Sequence, residues 1–308
     1  MRENLISKIS ELKKKRNALI LAHLYQPAEI QQIADFTGDS LDLSIKASKT
    51  SADVIVFCGV HFMAETAAIL SPQKQVLLPA PDSGCPMADM IDAESLKKFK
   101  AERPGAKVIT YVNSSAAVKA ESDVCCTSSN ALDIVKAYQN YDLIFTPDIN
   151  LGKWVSKMSG KEMSIWNGCC PLHACIFAGL VEDARAAHPN AEVLVHPECR
   201  PEVTSIADKV MSTSQMCRYA NSSKAQEFII GTEVGIMHRL TTENPGKKFY
   251  PLSAEMVCQN MKKTTLEKIV DVLTNLNNRI TVEESMRLRA YAPLEKMLEL
   301  SLSGNASK

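Results

Sequence analysis

Residues 163–173, MSIWNGCCPLH, join a short apolar run to an Asn-Gly turn and then to two cysteines, a proline and a histidine. This order is typical of a strand that ends in a polar loop able to bind a metal. Residues 76–86 and 249–258 follow a similar order, with a cysteine in each loop. Cys85, Cys170 and Cys258 stand at nearly equal intervals along the chain. We expect these three cysteines to converge on one site.

The rest of the chain repeats with similar spacing. Strand-like apolar runs end at His23, Tyr111 and His196, whose positions differ by 88 and then by 85. Two further features, a helix start and a second apolar run, recur at the same two intervals: Ser40, Ser128 and Thr213, then Phe57, Phe145 and Ile230. The agreement of three features predicts three βαβαβ units derived from one ancestral module.

Strands that alternate with helices predict an α/β fold with short parallel sheets, each covered by helices on both faces in a three-layer αβα arrangement. Ligands of such sheets bind beyond the carboxyl ends of the strands, so three units in pseudo-threefold arrangement would surround a central site. The predicted units are 1–98, which includes an N-terminal helix, 99–186 and 187–263. Helices predicted over 264–300, the last beginning at Pro293, are expected to pack on the first unit.

Composition disfavours several classes of protein. The 308 residues include 35 basic and 35 acidic side chains, and no basic stripe indicates nucleic-acid binding. The segment 1–17 has the spacing of a surface helix and lacks the apolar core of a secretory signal. No run approaches the roughly 20 apolar residues of a membrane span. Ten cysteines without such a signal favour a reducing compartment, so we expect a cytoplasmic protein with neither nucleic acid nor membrane as partner.

The ten cysteines do not form any C-x2-C pair, which argues against zinc ribbons and ferredoxin-type loops. Most of them are expected to be buried apolar side chains, but Cys85, Cys170 and Cys258 each close the third strand of a unit. Three thiolates from distant segments suit a 4Fe–4S cluster with one open iron, which would act as a Lewis acid. A three-cysteine zinc site is the main alternative.

Each first strand ends in a pair of polar side chains at positions i and i+2, and therefore on one side of an extended chain. The pairs are His23 and Tyr25, Tyr111 and Asn113, and His196 and Glu198. Three equivalent polar pairs after apolar strands are costly to bury without a purpose, so we interpret them as site residues. Glu198 and Tyr25 are the candidate proton carriers.

Hydroxyl side chains begin the helix that follows in each unit, at Ser40, at Ser128 and at Ser212 with Thr213. Capping alone would explain a single hydroxyl at a helix start. In the expected topology these helix N-termini also face the central site, where they favour anions such as carboxylate or phosphate. Anion sites, acid–base groups and an open iron together indicate a small polyanionic substrate and an elimination or condensation reaction.

These residues make the chain resemble the quinolinate synthase family. The resemblance runs from about residue 23 to 263 and rests on ordered motifs: AHLYQ, DFTGDSL, TYVNSSAAVKA, CTSSNA, WNGCCPLH, VHPEC, ADKVMSTSQM, GTEVGI and MVCQNMKK. It implies three α/β domains around a 4Fe–4S cluster with three cysteine ligands. It also implies condensation of iminosuccinate with dihydroxyacetone phosphate to quinolinate, with loss of phosphate and two waters. L-aspartate oxidase or aspartate dehydrogenase would supply the iminosuccinate.

The resemblance also implies roles for individual residues. Cys85, Cys170 and Cys258 would ligate the cluster, with His173 beside it. The implied catalytic residues are Glu198, Tyr25, His23, His196 and Tyr111. The implied substrate-binding residues are His23, Ser40, Tyr111, Val112, Asn113, Ser128, His173, His196, Pro197, Glu198, Ser212 and Thr213. Some family members have C-x-x-C-x-x-C where this chain has Cys258 followed by Gln-Asn-Met, so a redox switch based on those thiols is not expected here.

Two other functions remain compatible with these patterns. One is an aconitase-like hydro-lyase that acts on another dicarboxylate with the same cluster chemistry. The other is an iron–sulfur scaffold or redox sensor without enzymatic activity. A sensor has no need of three anion sites, and a scaffold has no need of Tyr25 and Glu198.

Overall fold

The computed structural model describes residues 2–305. It contains three four-stranded parallel sheets, and the strands of each sheet follow one spatial order: the second strand of the unit, then the first, third and fourth. Helices connect successive strands within every sheet. The predicted α/β fold of three similar units is therefore confirmed. Each unit has four strands, however, and not the three of the predicted βαβαβ unit. The strand that the prediction missed is the short second strand of each unit, which lies at one edge of its sheet.

The first unit follows an N-terminal helix, and the second unit begins after a connecting helix. The elements up to that point are α1 (Arg2–Lys15), β1 (Ala18–His23), α2 (Ala28–Ile33), β2 (Phe36–Gly38), α3 (Ser40–Lys49), β3 (Val54–Cys58), α4 (His61–Leu70), β4 (Gln75–Leu77), a 3-10 turn (Ala88–Met90) and α5 (Ala93–Ala101). The second unit and the two helices after it are β5 (Lys107–Tyr111), α6 (Ala116–Lys119), β6 (Val124–Cys126), α7 (Ala131–Ala137), β7 (Leu143–Thr146), α8 (Ile149–Ser159), β8 (Ser164–Ile165), α9 (Pro171–Ala174) and α10 (Ala178–Ala187).

The third unit repeats the order of the first two and is followed by two C-terminal helices. Its elements are β9 (Glu192–Val195), α11 (Pro201–Ile206), β10 (Lys209–Val210), α12 (Thr213–Ser222), β11 (Glu227–Gly231), α13 (Ile236–Glu243), β12 (Lys248–Pro251) and a 3-10 turn (Met261–Lys263). The C-terminal helices are α14 (Leu266–Asn275) and α15 (Glu284–Asn305).

Both faces of the first sheet are buried, which explains why its strands are nearly continuous apolar runs. Ile20 and Val56 belong to one apolar cluster, which includes residues of α1 and α14. The intervening side chains, such as Leu21 and Phe57, belong to the core on the opposite face. That core also contains Phe145 of the second unit, so the first two units share one apolar interior.

An aspartate before each edge strand fixes the strand beside it. The Asp35, Asp123 and Asp208 carboxylates accept the backbone N–H groups of Ile20, Val108 and Val193, at 2.8, 2.8 and 2.7 Å. The three aspartates recur at the same two intervals as the strand ends, and so do their three partners. This contact is a further repeated feature of the three units, and it brings the edge strand to the first strand.

The C-terminal helices cover the first two units. Helix α14 packs against α1, whereas α15 packs against β6, α6 and α4. The prediction that Pro293 begins a helix is wrong, because this proline lies within α15. Within residues 2–305, no helix has both the length and the apolar character that crossing a membrane requires.

We expect Asp123→Ala to destabilise the protein by about 1–3 kcal/mol, because it removes a hydrogen bond to a charged acceptor and leaves the Val108 N–H group unpaired. Chemical denaturation with a linear extrapolation would measure the change. Asp183→Ala is the matched control, since Asp183 is exposed on α10, and its effect should stay within about 0.5 kcal/mol. Equal stability of the two variants would contradict the role given to Asp123.

Candidate active site

One cavity of about 410 Å³ lies where the three units meet. It is lined by side chains from the loops that follow the strands of all three sheets. The candidate site residues that line it are His23, Tyr25, Ser40, Cys85, Tyr111, Asn113, Ser128, Cys170, His173, His196, Glu198, Thr213 and Cys258. Val112, Pro197 and Ser212 are buried but are not among the lining residues. Val112 and Pro197 are the middle residues of their strand-end pairs, so their side chains project away from those of their neighbours.

The carboxylate of Glu198 is the most enclosed charged group of the cavity, with 3 % of the residue exposed. Tyr111 donates its hydroxyl proton to Oε1 at 2.7 Å, and Nδ1 of His173 lies 2.8 Å from Oε2. Burial on its own would raise the pKa of Glu198, but hydrogen bonds donated by His173 and Tyr111 to the ionised carboxylate lower it below the usual range. Glu198 is therefore an ionised acceptor held by two donors of the second unit.

His23 and His196 are neutral and share one orientation. The backbone N–H groups of Tyr25 and Glu198 donate to their Nδ1 atoms, at 3.1 and 3.3 Å respectively. Each imidazole therefore carries its proton on Nε2, and Nε2 of His196 lies 3.2 Å from the hydroxyl of Ser128. Burial lowers the pKa of each to about 3. Both rings can offer an N–H donor to a ligand without carrying a charge.

Thr232, which the sequence analysis missed, lies between Tyr25 and His173 and contacts both side chains. The hydroxyl of Tyr25 lies 2.5 Å from Oγ1 of Thr232, which in turn lies 2.8 Å from Nε2 of His173. Burial raises the pKa of Tyr25 well above that of a free phenol, so the side chain keeps its proton. The repeat could not reveal Thr232, because the equivalent positions are Gly59 and Pro147.

Two buried carboxylates fix the loops of two of the three cysteines. Asp148 accepts the backbone N–H of Cys170 at 3.0 Å, and Glu233 accepts that of Cys258 at 3.1 Å. Glu233 also lies 2.8 Å from Nζ of Lys262. Asp148 and Glu233 occupy equivalent positions of the second and third units, so the repeat could have identified both. The first unit has an apolar valine at that position and therefore no carboxylate.

The helix starts contribute hydroxyls to the cavity, through Ser40, Ser128 and Thr213. Some amides expected to be free there are already paired. Asp39 accepts the N–H groups of Leu41 and Asp42 at the start of α3. Ser212 forms a capping box with Gln215 at the start of α12. Polar ligands would therefore meet mainly side-chain hydroxyls at α3 and α12.

Asn113 is an unpaired polar group of the cavity. Its Oδ1 atom is buried and has no hydrogen-bond partner within residues 2–305. A buried polar atom without a partner costs free energy, and a ligand with a donor group would remove that cost.

The cavity could also hold a metal. Within the described part of the chain, one group of metal-capable side chains has all its ligand atoms within 4.8 Å of one another, namely Cys170, His173 and Glu198. Nδ1 of His173 lies 3.2 Å from Sγ of Cys170. Cys85 and Cys258 line the same cavity but do not belong to that group. Burial raises the pKa of Cys85 to about 12, so its thiolate needs a nearby cation to form.

Three α/β units that enclose buried acid–base groups and metal-capable thiols define an enzyme of small-molecule metabolism. The family described as quinolinate synthetase A protein matches residues 7–299. The chain is 54 % identical to the quinolinate synthase of Thermodesulfovibrio yellowstonii over 96 % of this chain and 98 % of the relative. It is 51 % identical to quinolinate synthase 2 of Methanosarcina acetivorans over 98 % of this chain and 97 % of the relative. The chain therefore belongs to the quinolinate synthase family of enzymes.

The neutral His23 predicts a pH dependence of stability. In the unfolded chain this imidazole gains a proton below a pKa of about 6.5, whereas in the folded protein it does so only near pH 3. His23 therefore costs no stability above about pH 6.5. Its effect lowers the free energy of unfolding as the pH falls toward 3, by roughly 2 kcal/mol between pH 6.5 and 4.5. Denaturant unfolding of the apoprotein at these two values would measure the loss. The loss should be smaller by that amount in His23→Gln, and an equal loss in both proteins would contradict a buried neutral His23.

Proposed function

We propose that this chain condenses iminosuccinate with dihydroxyacetone phosphate to quinolinate, with release of phosphate and two waters. One observation carries the proposal: thiols, a buried carboxylate, a phenol and hydroxyls from all three units line a single cavity of about 410 Å³. This volume is within the range of small-molecule sites, about 300–1,000 Å³. The reaction would serve NAD biosynthesis in the cytoplasm, and L-aspartate oxidase or aspartate dehydrogenase would supply the iminosuccinate.

The proposed cofactor is a 4Fe–4S cluster held by Cys85, Cys170 and Cys258. Three thiolates leave one of its four irons without a protein ligand, and such an iron supplies Lewis-acid chemistry to a substrate oxygen. The buried carboxylates of Asp148 and Glu233 support this ligand set, because they fix the backbone at two of the cysteines.

The alternative of a three-cysteine zinc site has less support. Thiolates that share one zinc ion at about 2.3 Å lie about 3.8 Å from each other. The close group of ligand atoms in this cavity includes only one of the three cysteines. The thiolates of a cluster bind different irons and can be farther apart, which suits three cysteines spread around one cavity.

The polar groups around the cavity suit two anionic substrates. Ser40, Ser128 and Thr213 would donate hydroxyl hydrogen bonds to carboxylate or phosphate oxygens. The Nε2–H groups of His23 and His196 would donate to carbonyl or hydroxyl oxygens without adding charge to the site. The unpaired amide of Asn113 would bind a substrate hydroxyl or amino group.

Acid–base catalysis would come from Glu198 and Tyr25. Glu198 is ionised and its two donors hold it in a fixed position, so it can accept a proton from a substrate carbon or nitrogen. Tyr25 keeps its phenolic proton and can donate it to a departing hydroxyl. Dehydrating condensation requires both a base and an acid, and the two residues lie on different strand ends of one cavity.

The direct test is an anaerobic assay of iron-loaded protein with iminosuccinate and dihydroxyacetone phosphate. We expect quinolinate as the product, and its absence would contradict the proposed function. Cys170→Ser is expected to lose the brown chromophore and the activity together, because one cluster ligand is missing.

Cys169→Ser is the matched control for that substitution. Cys169 is the neighbouring residue, but it is not among the residues that line the cavity, and its backbone N–H contacts the sulfur of Met90 at 3.3 Å. This variant should keep both the chromophore and the activity. An intact cluster in Cys170→Ser would overturn the ligand assignment.

A further inference from the structure

Gly235 lies so close to the backbone of Tyr25 that a side chain at this position would not fit without a shift. A Cβ atom added at Gly235 would be 2.8 Å from both Cα and the carbonyl carbon of Tyr25, whereas ordinary contact begins at 3.4 Å. Both are backbone atoms, which cannot rotate aside. Gly235 belongs to the third unit, immediately before α13, and Tyr25 follows the first strand of the first unit. The two units therefore meet directly behind a residue of the site.

The carboxylate of Glu233 holds Gly235 in this place and connects it with two other groups. Its Oε2 atom accepts the backbone N–H of Gly235 at 2.7 Å. Its Oε1 atom accepts the N–H of Cys258 at 3.1 Å and lies 2.8 Å from Nζ of Lys262. The side chain of Glu233 is fully buried. Because a buried carboxylate with three donors has little freedom to move, Gly235 and the loop of Cys258 are held in one fixed relation.

Lys262 adds a second contact between the same two units. Its ammonium group donates to the backbone carbonyl oxygen of Tyr25. Gln31 of the first unit makes a contact in the opposite direction, because its Nε2 atom lies 2.9 Å from the carbonyl oxygen of Gly235 and 3.0 Å from that of Leu24. The main chain of Tyr25 is thus held by two residues of the third unit, Gly235 through close packing and Lys262 through a hydrogen bond.

A corresponding contact occurs between the second and third units. Asn150 occupies the position of the second unit that corresponds to Gly235, and Glu198 occupies the position that corresponds to Tyr25. Nδ2 of Asn150 donates to the backbone carbonyl oxygen of Glu198 at 3.1 Å. In both cases one unit fixes the main chain of the second residue after the first strand of the next unit. The repetition indicates that this contact belongs to the way in which the units place their strand-end side chains.

We propose that Gly235 and Lys262 are positioning residues, which set the place of the Tyr25 hydroxyl in the cavity by fixing its main chain. This inference rests on the proposed function, in which Tyr25 gives a proton to a departing hydroxyl. A proton donor must be held close to the reacting oxygen, since a misplacement of about 1 Å can lower a rate about 10²-fold. Through Glu233, the same contacts also tie Tyr25 to the loop of Cys258.

The test compares the same substitution at two glycines. Gly235→Ala must separate this residue from the backbone of Tyr25 by at least about 0.6 Å to reach ordinary contact. We expect kcat to fall on the order of 10- to 10²-fold, with KM for each substrate changed less than about threefold. Gly246→Ala is the matched control, because a Cβ atom there meets nothing within 4 Å, and its kinetics should equal those of the wild type.

A double variant separates positioning from a general loss of structure. If Gly235→Ala acts through the Tyr25 hydroxyl, it should slow the Tyr25→Phe enzyme by less than about threefold, because that hydroxyl is already absent. The iron content and the thermal midpoint of Gly235→Ala should remain close to wild type. Losses that multiply in the double variant would overturn the proposal. So would a loss that follows the iron content, or a kcat for Gly235→Ala within about threefold of wild type.

Lys262→Met tests the second contact, and Lys262→Arg is its conservative counterpart. The methionine side chain cannot donate to the Tyr25 carbonyl, so kcat should fall on the order of tenfold. The arginine side chain keeps a charged donor and should retain most of the turnover. Equal losses in the two variants would contradict the role given to Lys262.

A crystal structure of the iron-loaded Gly235→Ala protein gives a readout that does not depend on activity. We expect the Tyr25 hydroxyl to lie about 0.5 Å or more from its wild-type position, with Tyr111 unmoved. An unmoved Tyr25 would overturn the proposal even if the enzyme makes quinolinate. Wild-type protein that makes no quinolinate would instead refute the proposed function, and the crystal structure would still decide whether Gly235 positions Tyr25.

Discussion

The arrangement of the site depends on the contacts that the buried carboxylate of Glu198 makes with its hydrogen-bond donors. An ionised group in a protein interior is tolerated only where donors replace the lost water. Here the donors are the hydroxyl of Tyr111 and the imidazole of His173, both from the second unit, while Glu198 itself follows the first strand of the third. The charge therefore links two units at the cavity, and Asn150 of the second unit adds a bond to its backbone carbonyl at 3.1 Å.

The three units share the residues that hold their strands together, but they differ in the residues that line the cavity. Asp35, Asp123 and Asp208 make the same contact to the first strand in every unit. The second residue after each first-strand end differs, being Tyr25, Asn113 or Glu198. One ancestral framework thus offers three equivalent positions around a cavity, and a phenol, an amide and a carboxylate occupy them. Threefold repetition supplies the geometry, and departures from it supply the side chains to which we assign the acid–base chemistry.

The sequence allowed the framework to be predicted because its signals are long and repeated. Buried parallel strands produce continuous apolar runs, and the same pair of intervals separates several different features of the three units. The second strand of each unit was missed because it is short. For example, β10 spans only Lys209–Val210, which is too short to show an alternating or continuous apolar pattern.

Within the site, the repeat identifies polar residues at equivalent positions of the units, and the family motifs add His173, but neither signal identifies a residue such as Thr232 that is polar in one unit alone. Asp148 and Glu233 could have been found, since both precede a cysteine loop at equivalent positions. Thr232 could not, because its partners Tyr25 and His173 come from distant parts of the chain and only folding brings them together. The hydrogen bonds from the backbone amides at the start of α3 to Asp39 could not be predicted either, because they depend on the conformation of the Asp39 side chain.

The central claim is that Cys85, Cys170 and Cys258 together hold one cluster in the cavity that contains Glu198. Anomalous X-ray diffraction at the iron edge, from crystals grown without oxygen, tests it most directly. The account predicts a single compact iron peak of several atoms bounded by the sulfur atoms of all three cysteines. A lone metal atom between Cys170, His173 and Glu198, the close ligand group of this cavity, would contradict it.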